Sequence, residues 1–383
     1  MLLNNPVFVI AILILLVVFS EWLARQKYFK YLGSSLIIIL AGAVLSNLHI
    51  IPSSQDASVV YDGIFTYIAP LAIFYLLLDV RLKDIRLAGV PMLSMFLLGA
   101  AGTIVGTLVG YLLLSPQQHN MPEAFAVAGM FTGTYIGGSV NLNAVALHYG
   151  VIKNGTLFAA INAADNIITT IWIILTITMP PLLQRLMPRK ISKSANVETT
   201  SMVLPIEVSG ELINISGFSS LLFLGLASLV AAQLISFYVP QLPSVIVLTT
   251  LALVLAQVKG VQNLKGGKIL GLFMVLLFLA VVGAYCDISA LIANKETAIL
   301  LLEWVTIIAF VHGIILFGIG GLFKVDWNII SIASNANIGG ATSAAVLATS
   351  LNRKDLRLPG ILAGAVGTGI GTYLGLMIAG LLK

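Results

Sequence analysis

Asp165 is the residue whose chemistry stands out. It lies in an apolar stretch, with Asn162 one turn before it and Asn166 beside it. Ten residues into a helical segment, at 1.5 Å per residue, is roughly 15 Å deep and close to a bilayer midplane. No Lys or Arg falls within any apolar stretch to neutralise it. A carboxylate at that depth has to be protonated, hold an ion or face a wet cavity, and carboxamide oxygens next to it suit a hard cation such as sodium. The structural alternative is an Asp kept neutral by Ser and Thr hydroxyls. His312 is the second deep polar residue, followed by Gly313. It reads either as a hydrogen-bonded packing histidine or as a proton relay.

Two further stretches carry polar groups into apolar segments. Residues 131–143 read FTGTYIGGSVNLN, and residues 331–343 read SIASNANIGGATS. Gly pairs and Asn release backbone groups from the helical ladder, which a membrane tolerates only against protein or a watery cavity. A break at that depth aims half-helix ends at one point, where N-terminal ends favour anions and freed carbonyls favour cations. Packing through small residues is the alternative use of such glycines. Two Gly pairs at matching positions, each beside Asn, favour a binding site instead. Its expected lining is Gly137, Gly138, Ser139, Asn141, Asn143, Asn335, Asn337, Gly339 and Gly340.

The elements that must hold these residues follow from composition. Hydrophobic residues make up 59% of the chain and charged residues 9%, against about 25% charged in an average soluble domain. Apolar runs of spanning length recur at 6–23, 32–48, 61–78, 88–114, 122–148 and 155–181, then at 217–238, 243–258, 269–285, 298–323, 328–350 and 358–382. The expectation is an all-α integral membrane protein of about 12 hydrophobic segments. The pI near 9.2 does not indicate nucleic-acid binding, because all 20 Lys and Arg lie outside or at the ends of the runs. The single cysteine, Cys286, excludes a disulfide framework and a Cys-based metal site. The run 6–20 has neither a preceding basic stretch nor a cleavage signal, and reads as the first retained span.

The runs form two sets of six, 1–181 and 217–383, joined by a polar linker at 182–216. The motif TYIGGS at 134–139 aligns with ANIGGA at 336–341, each in the fifth segment of its set. A weaker echo pairs Asp79 with Asp287. Arg25, Lys27 and Lys30 mark the first loop as cytoplasmic, which places the N-terminus outside. If every segment crossed, the linker with Arg185, Arg189, Lys190 and Lys193 would fall outside, against the positive-inside rule. If the fifth segments are broken and re-enter on the side they came from, all basic loops become cytoplasmic. The two six-segment repeats are then inverted. Asp165 has no counterpart in the second set, where the stretch reads Ala365-Val366-Gly367-Thr368.

The stretches GTYIGGSVNLNAVA and NANIGGATSAAV resemble the YjcL-type family of bacterial membrane proteins, a domain-of-unknown-function family, with the resemblance covering essentially the whole chain. More distantly the chain is similar to the cation/proton antiporter and anion transporter group. That resemblance implies inverted repeats, broken or re-entrant segments and an acidic pair in the following helix, of which Asp165-Asn166 keeps one acid. Dimerisation through scaffold helices is common among similar transporters. The expected function is sodium- or proton-coupled symport of a small anionic or zwitterionic organic solute. Asp165, Asn162 and Asn166 would hold the coupling ion, with no other cofactor. The alternative is a monovalent cation/proton antiporter. The expected location is the bacterial inner membrane with the linker cytoplasmic. No zinc or aspartyl-protease motif points to an enzyme.

Overall fold

The computed structural model describes residues 5–26, 29, 33–53, 56, 58–119, 121, 123–189, 214–239, 242–286 and 295–383. Lys27, Lys30, Lys190, Lys193, Asp287 and most of the 182–216 linker lie outside the described residues. Among the described residues there is no strand. The helices are α1 (Pro6–Ala24), α2 (Gly33–Asn47), α3 (Val59–Leu77), α4 (Val90–Leu114), α5 (Ala124–Gly137), α6 (Ser139–Tyr149) and α7 (Gly155–Leu186). After the linker come α8 (Ile215–Tyr238), α9 (Ser244–Leu255), α10 (Gly267–Ala284), α11 (Lys295–Leu322), α12 (Trp327–Ile338), α13 (Gly340–Ser350) and α14 (Arg357–Leu382).

Eight of the described helices are long and apolar enough to cross a bilayer: α1, α3, α4, α7, α8, α10, α11 and the helix ending at Leu382. Each exceeds the minimum set by a hydrocarbon core about 30 Å thick. Single-residue starts and stops agree with the apolar runs because the punctuation is local. Asn5 caps α1 through Val7 N at 2.9 Å, and Asn154 caps α7 through Leu157 N at 3.1 Å.

Glycine seams set which helices meet. Gly102, Gly106 and Gly110 of α4 lie against His312, Ile308 and Trp304 of α11, so the two run antiparallel with their backbones close. Trp304 Nε1 donates to Thr107 O at 3.1 Å across the same seam. Gly42 of α2 abuts Ala280 of α10, and Gly283 of α10 abuts Ile39 of α2. α14 turns Gly360, Gly364, Gly367, Gly371 and Gly375 toward the two Gly/Asn segments. Those segments form the centre: α5 is buried from Ala126 to Gly137, and α12 from Ile329 to Ile338.

A charged cluster closes the start of α12. Asp326 caps it through Asn328 N at 2.9 Å and takes Arg353 Nη1 at 2.6 Å. Arg353 also reaches Asp355 through Nη2 at 2.7 Å. Burial disfavours the Arg353 charge, but the hydrogen bonds and charges of Asp355 and Asp326 outweigh it and raise the guanidinium pKa. Beyond α7, Arg189 donates to Val325 O and Gly321 O at 2.6 Å, and its guanidinium lies 3.5 Å from the Trp327 ring centre.

Candidate functional site

The Gly/Asn segments are not straight spans. After α5 the chain reverses at Gly138, whose φ of 87° and ψ of 177° belong to a region occupied essentially by glycine. α6 then returns alongside α5. A methyl on Gly133 would lie 3.2 Å from Asn141 Cβ, although residues eight apart in a continuous helix are about 12 Å apart. The second segment does the same around Gly340, at φ 74°. A methyl on Gly360 would meet both Ile332, before the turn, at 2.7 Å and Ala344, after it, at 3.2 Å.

Both hairpins lie on α14, from opposite ends. The first runs from Gly129 and Val145, both beside Gly375, to a tip beside Gly367, where Thr368 Oγ1 donates to Gly137 O at 3.2 Å. The second runs from Gly360 to a tip where Gly364 abuts Ala341. The tips therefore meet within one turn of each other along α14. Each predicted Gly has a distinct duty: Gly137 has the α14 backbone against it, Gly138 and Gly340 supply the positive φ, and Gly339 faces Ser343. Neither returning helix has a side-chain cap at its N-terminus, and Ser139 and Thr342 are exposed there. Uncapped amides are a ready seat for negative charge.

Asp165 lies beside the first tip. Thr134 approaches its carboxyl, while Oδ1 is buried without a partner. The Tyr135 hydroxyl, within electrostatic reach of that carboxyl, sits alongside Thr169. Tyr135 OH and Thr169 Oγ1 are both buried, and neither completes a hydrogen bond. A native structure leaves few such groups unsatisfied, and here three come together. Asn162 and Asn166 point their amides at their own helix, to Phe158 O at 3.0 Å and Asn162 O at 2.7 Å. The structure therefore surrounds the carboxyl with three hydroxyls that sequence reasoning passed over. The signals were there: Thr169 is four residues from Asp165, and Thr134-Tyr135 stands one turn before the Gly pair.

The remaining polar residues tie the hairpins to their neighbours. Asn141 Oδ1 accepts from Thr372 at 2.7 Å, and Asn143 is buried. Asn335 Nδ2 donates to Thr176 Oγ1 at 2.6 Å, and Asn337 Nδ2 to Phe96 O at 3.0 Å. Both of their carboxamide oxygens are buried without partners. His312 joins three helices: Nδ1 lies 2.9 Å from Gly99 O and 3.1 Å from Thr103 Oγ1, and Nε2 lies 2.9 Å from Ser334 Oγ. A carbonyl only accepts, so Nδ1 carries the proton and Nε2 accepts from Ser334, which in turn accepts from Trp172 Nε1 at 2.9 Å. Among the described residues no group of three His, Cys, Asp or Glu side chains is placed to hold a metal.

Over residues 8–383 the chain matches the family described as Protein of unknown function (DUF819). It belongs to that family. It is also 30% identical over 369 residues to the uncharacterized membrane protein YjcL of Bacillus subtilis (strain 168), spanning 91% of this chain and 90% of that protein. The family resemblance carried by the two Gly/Asn stretches is thereby borne out, and this is a membrane protein.

Proposed function

We propose that this chain is a secondary active transporter that couples movement of sodium or protons to symport of a small anionic or zwitterionic solute. The observation that carries the reading is the meeting of two hairpin tips at the middle of α14, beside one buried carboxyl. Interrupted helices at membrane depth are the usual seat of substrate and coupling ion in such proteins. The two uncapped helix starts, where Ser139 and Thr342 are exposed, are suited to a carboxylate or phosphate group on the solute. Asp165 is suited to the coupling ion, since its charge has no basic partner in the spans.

The reading includes an inverted repeat. Segments five and six of each set pack across the sets, α5 on α14 and α12 on α7, and α4 pairs with α11, its own counterpart. Two hairpins approaching α14 from opposite ends fit re-entrance from opposite faces of the membrane. The 182–216 linker and both sets of basic loops are then cytoplasmic.

Uptake into proteoliposomes under an imposed sodium or proton gradient tests this. The expected outcome is gradient-driven accumulation of an organic anion or zwitterion, lost in Asp165→Asn. A dye assay separates the antiporter alternative: sodium-evoked alkalinisation of vesicles without added solute would displace symport.

A further inference from the structure

We infer that Asp165, Thr134, Tyr135 and Thr169 form a site for a dehydrated monovalent cation of sodium's size, held by one carboxylate and three hydroxyl oxygens. The inference rests on the proposed coupling role of Asp165 and names both the ion and its ligands. Its basis is the set of oxygens around that carboxyl. Asp165 Oδ1, Tyr135 OH and Thr169 Oγ1 are each buried, neighbouring and unpaired. Tyr135 is 0% exposed and Asp165 is 9% exposed.

Two hydroxyls next to a lone carboxylate would ordinarily donate to it, because an unmade hydrogen bond at a buried acceptor costs about 1–3 kcal/mol. A protonated carboxyl would likewise donate to one of them. Neither closure is made. A hard cation would satisfy these oxygens together, since it takes oxygen ligands at about 2.4 Å. One carboxylate neutralises one positive charge, and among the described residues no group of three His, Cys, Asp or Glu side chains gathers to balance more, which selects a monovalent ion over a divalent one. Thr134 and Tyr135 come from the first hairpin, and Asp165 and Thr169 from α7. The ion would thus bridge the hairpin to the helix beside it.

Thermal unfolding of the purified full chain in detergent, at constant ionic strength, tests this. Sodium is expected to raise the midpoint above that in potassium or choline, saturably, with no shift in Asp165→Asn. Tyr135→Phe and Thr169→Val remove one oxygen each. Each is expected to raise the half-saturating sodium concentration about tenfold or more, the size of a lost contact to a charged group. No sodium-specific shift in the wild type overturns the proposal. So does an unchanged half-saturating concentration in both hydroxyl variants, each checked for wild-type folding in choline. The two readings fail separately: sodium stabilisation without gradient-driven uptake supports this site and removes the transport reading. Proton-driven uptake without sodium stabilisation does the reverse.

Discussion

At the scale of single residues, the two glycines of the first tip do different work, and substitution separates them. Gly138→Ala meets nothing within 4 Å but places a side chain at φ 87°, so its cost is conformational, about 1–3 kcal/mol. Gly137→Ala keeps an ordinary helical φ and collides with the Gly367 backbone. Backbone cannot step aside, so the tip must leave α14, and the loss is expected to exceed that of Gly138→Ala. Unfolding midpoints of the two variants check the order, with equal or reversed losses counting against the geometry. The Gly pair and the isolation of Asp165 in an apolar run were readable in the sequence because Gly, Asn and charge are costly in a membrane wherever they occur. The hydroxyls around Asp165 were not. Thr and Tyr are unremarkable in a span, and only the fold brings Thr134 and Tyr135 of α5 near the carboxyl on α7.

At the scale of elements, the second hairpin is fastened at its open end by charge. Arg353 and Asp326 are both largely buried, with side-chain exposures of 11% and 4%. Removing one member of such a pair costs about 3–5 kcal/mol, more than a well-packed neutral replacement of both. Asp326→Ala also removes the α12 cap, worth about 1 kcal/mol. Asp326→Ala is therefore expected to destabilise strongly, and to add little once Arg353→Met is present. A double-mutant cycle of unfolding free energies measures that coupling. Element boundaries were legible almost throughout, since apolar runs end where caps and charges begin. The reversal of the fifth segments was foreseen only from loop charge. The physical cause is a single positive φ per hairpin, a backbone event that composition marks with a Gly pair but does not specify.

At the scale of the whole molecule, the proposed inverted arrangement predicts sides. Lys153 and Lys354 are exposed next to the open ends of the first and second hairpins. Single cysteines there are expected to label from opposite faces of the membrane, Lys153→Cys from outside and Lys354→Cys from inside. The native Cys286 is buried, which keeps the background low. Labelling of both from one face would remove the inverted repeat. The proposed repeat is marked in the sequence by one short motif. The extent of contact across the two halves is not, because α4 meets α11 through glycines that read equally well as lipid-facing positions.

The glycine face of α14 also imposes an order on biogenesis. α14 follows both hairpins in the chain, so during synthesis each hairpin enters the membrane before the helix it leans on exists. Until then, Asn141 lacks Thr372 and the first tip lacks Thr368 and Gly367. Polar groups at that depth have to be shielded by lipid headgroups, by insertion machinery or by each other. The nascent protein is therefore most vulnerable to quality control just before α14 arrives.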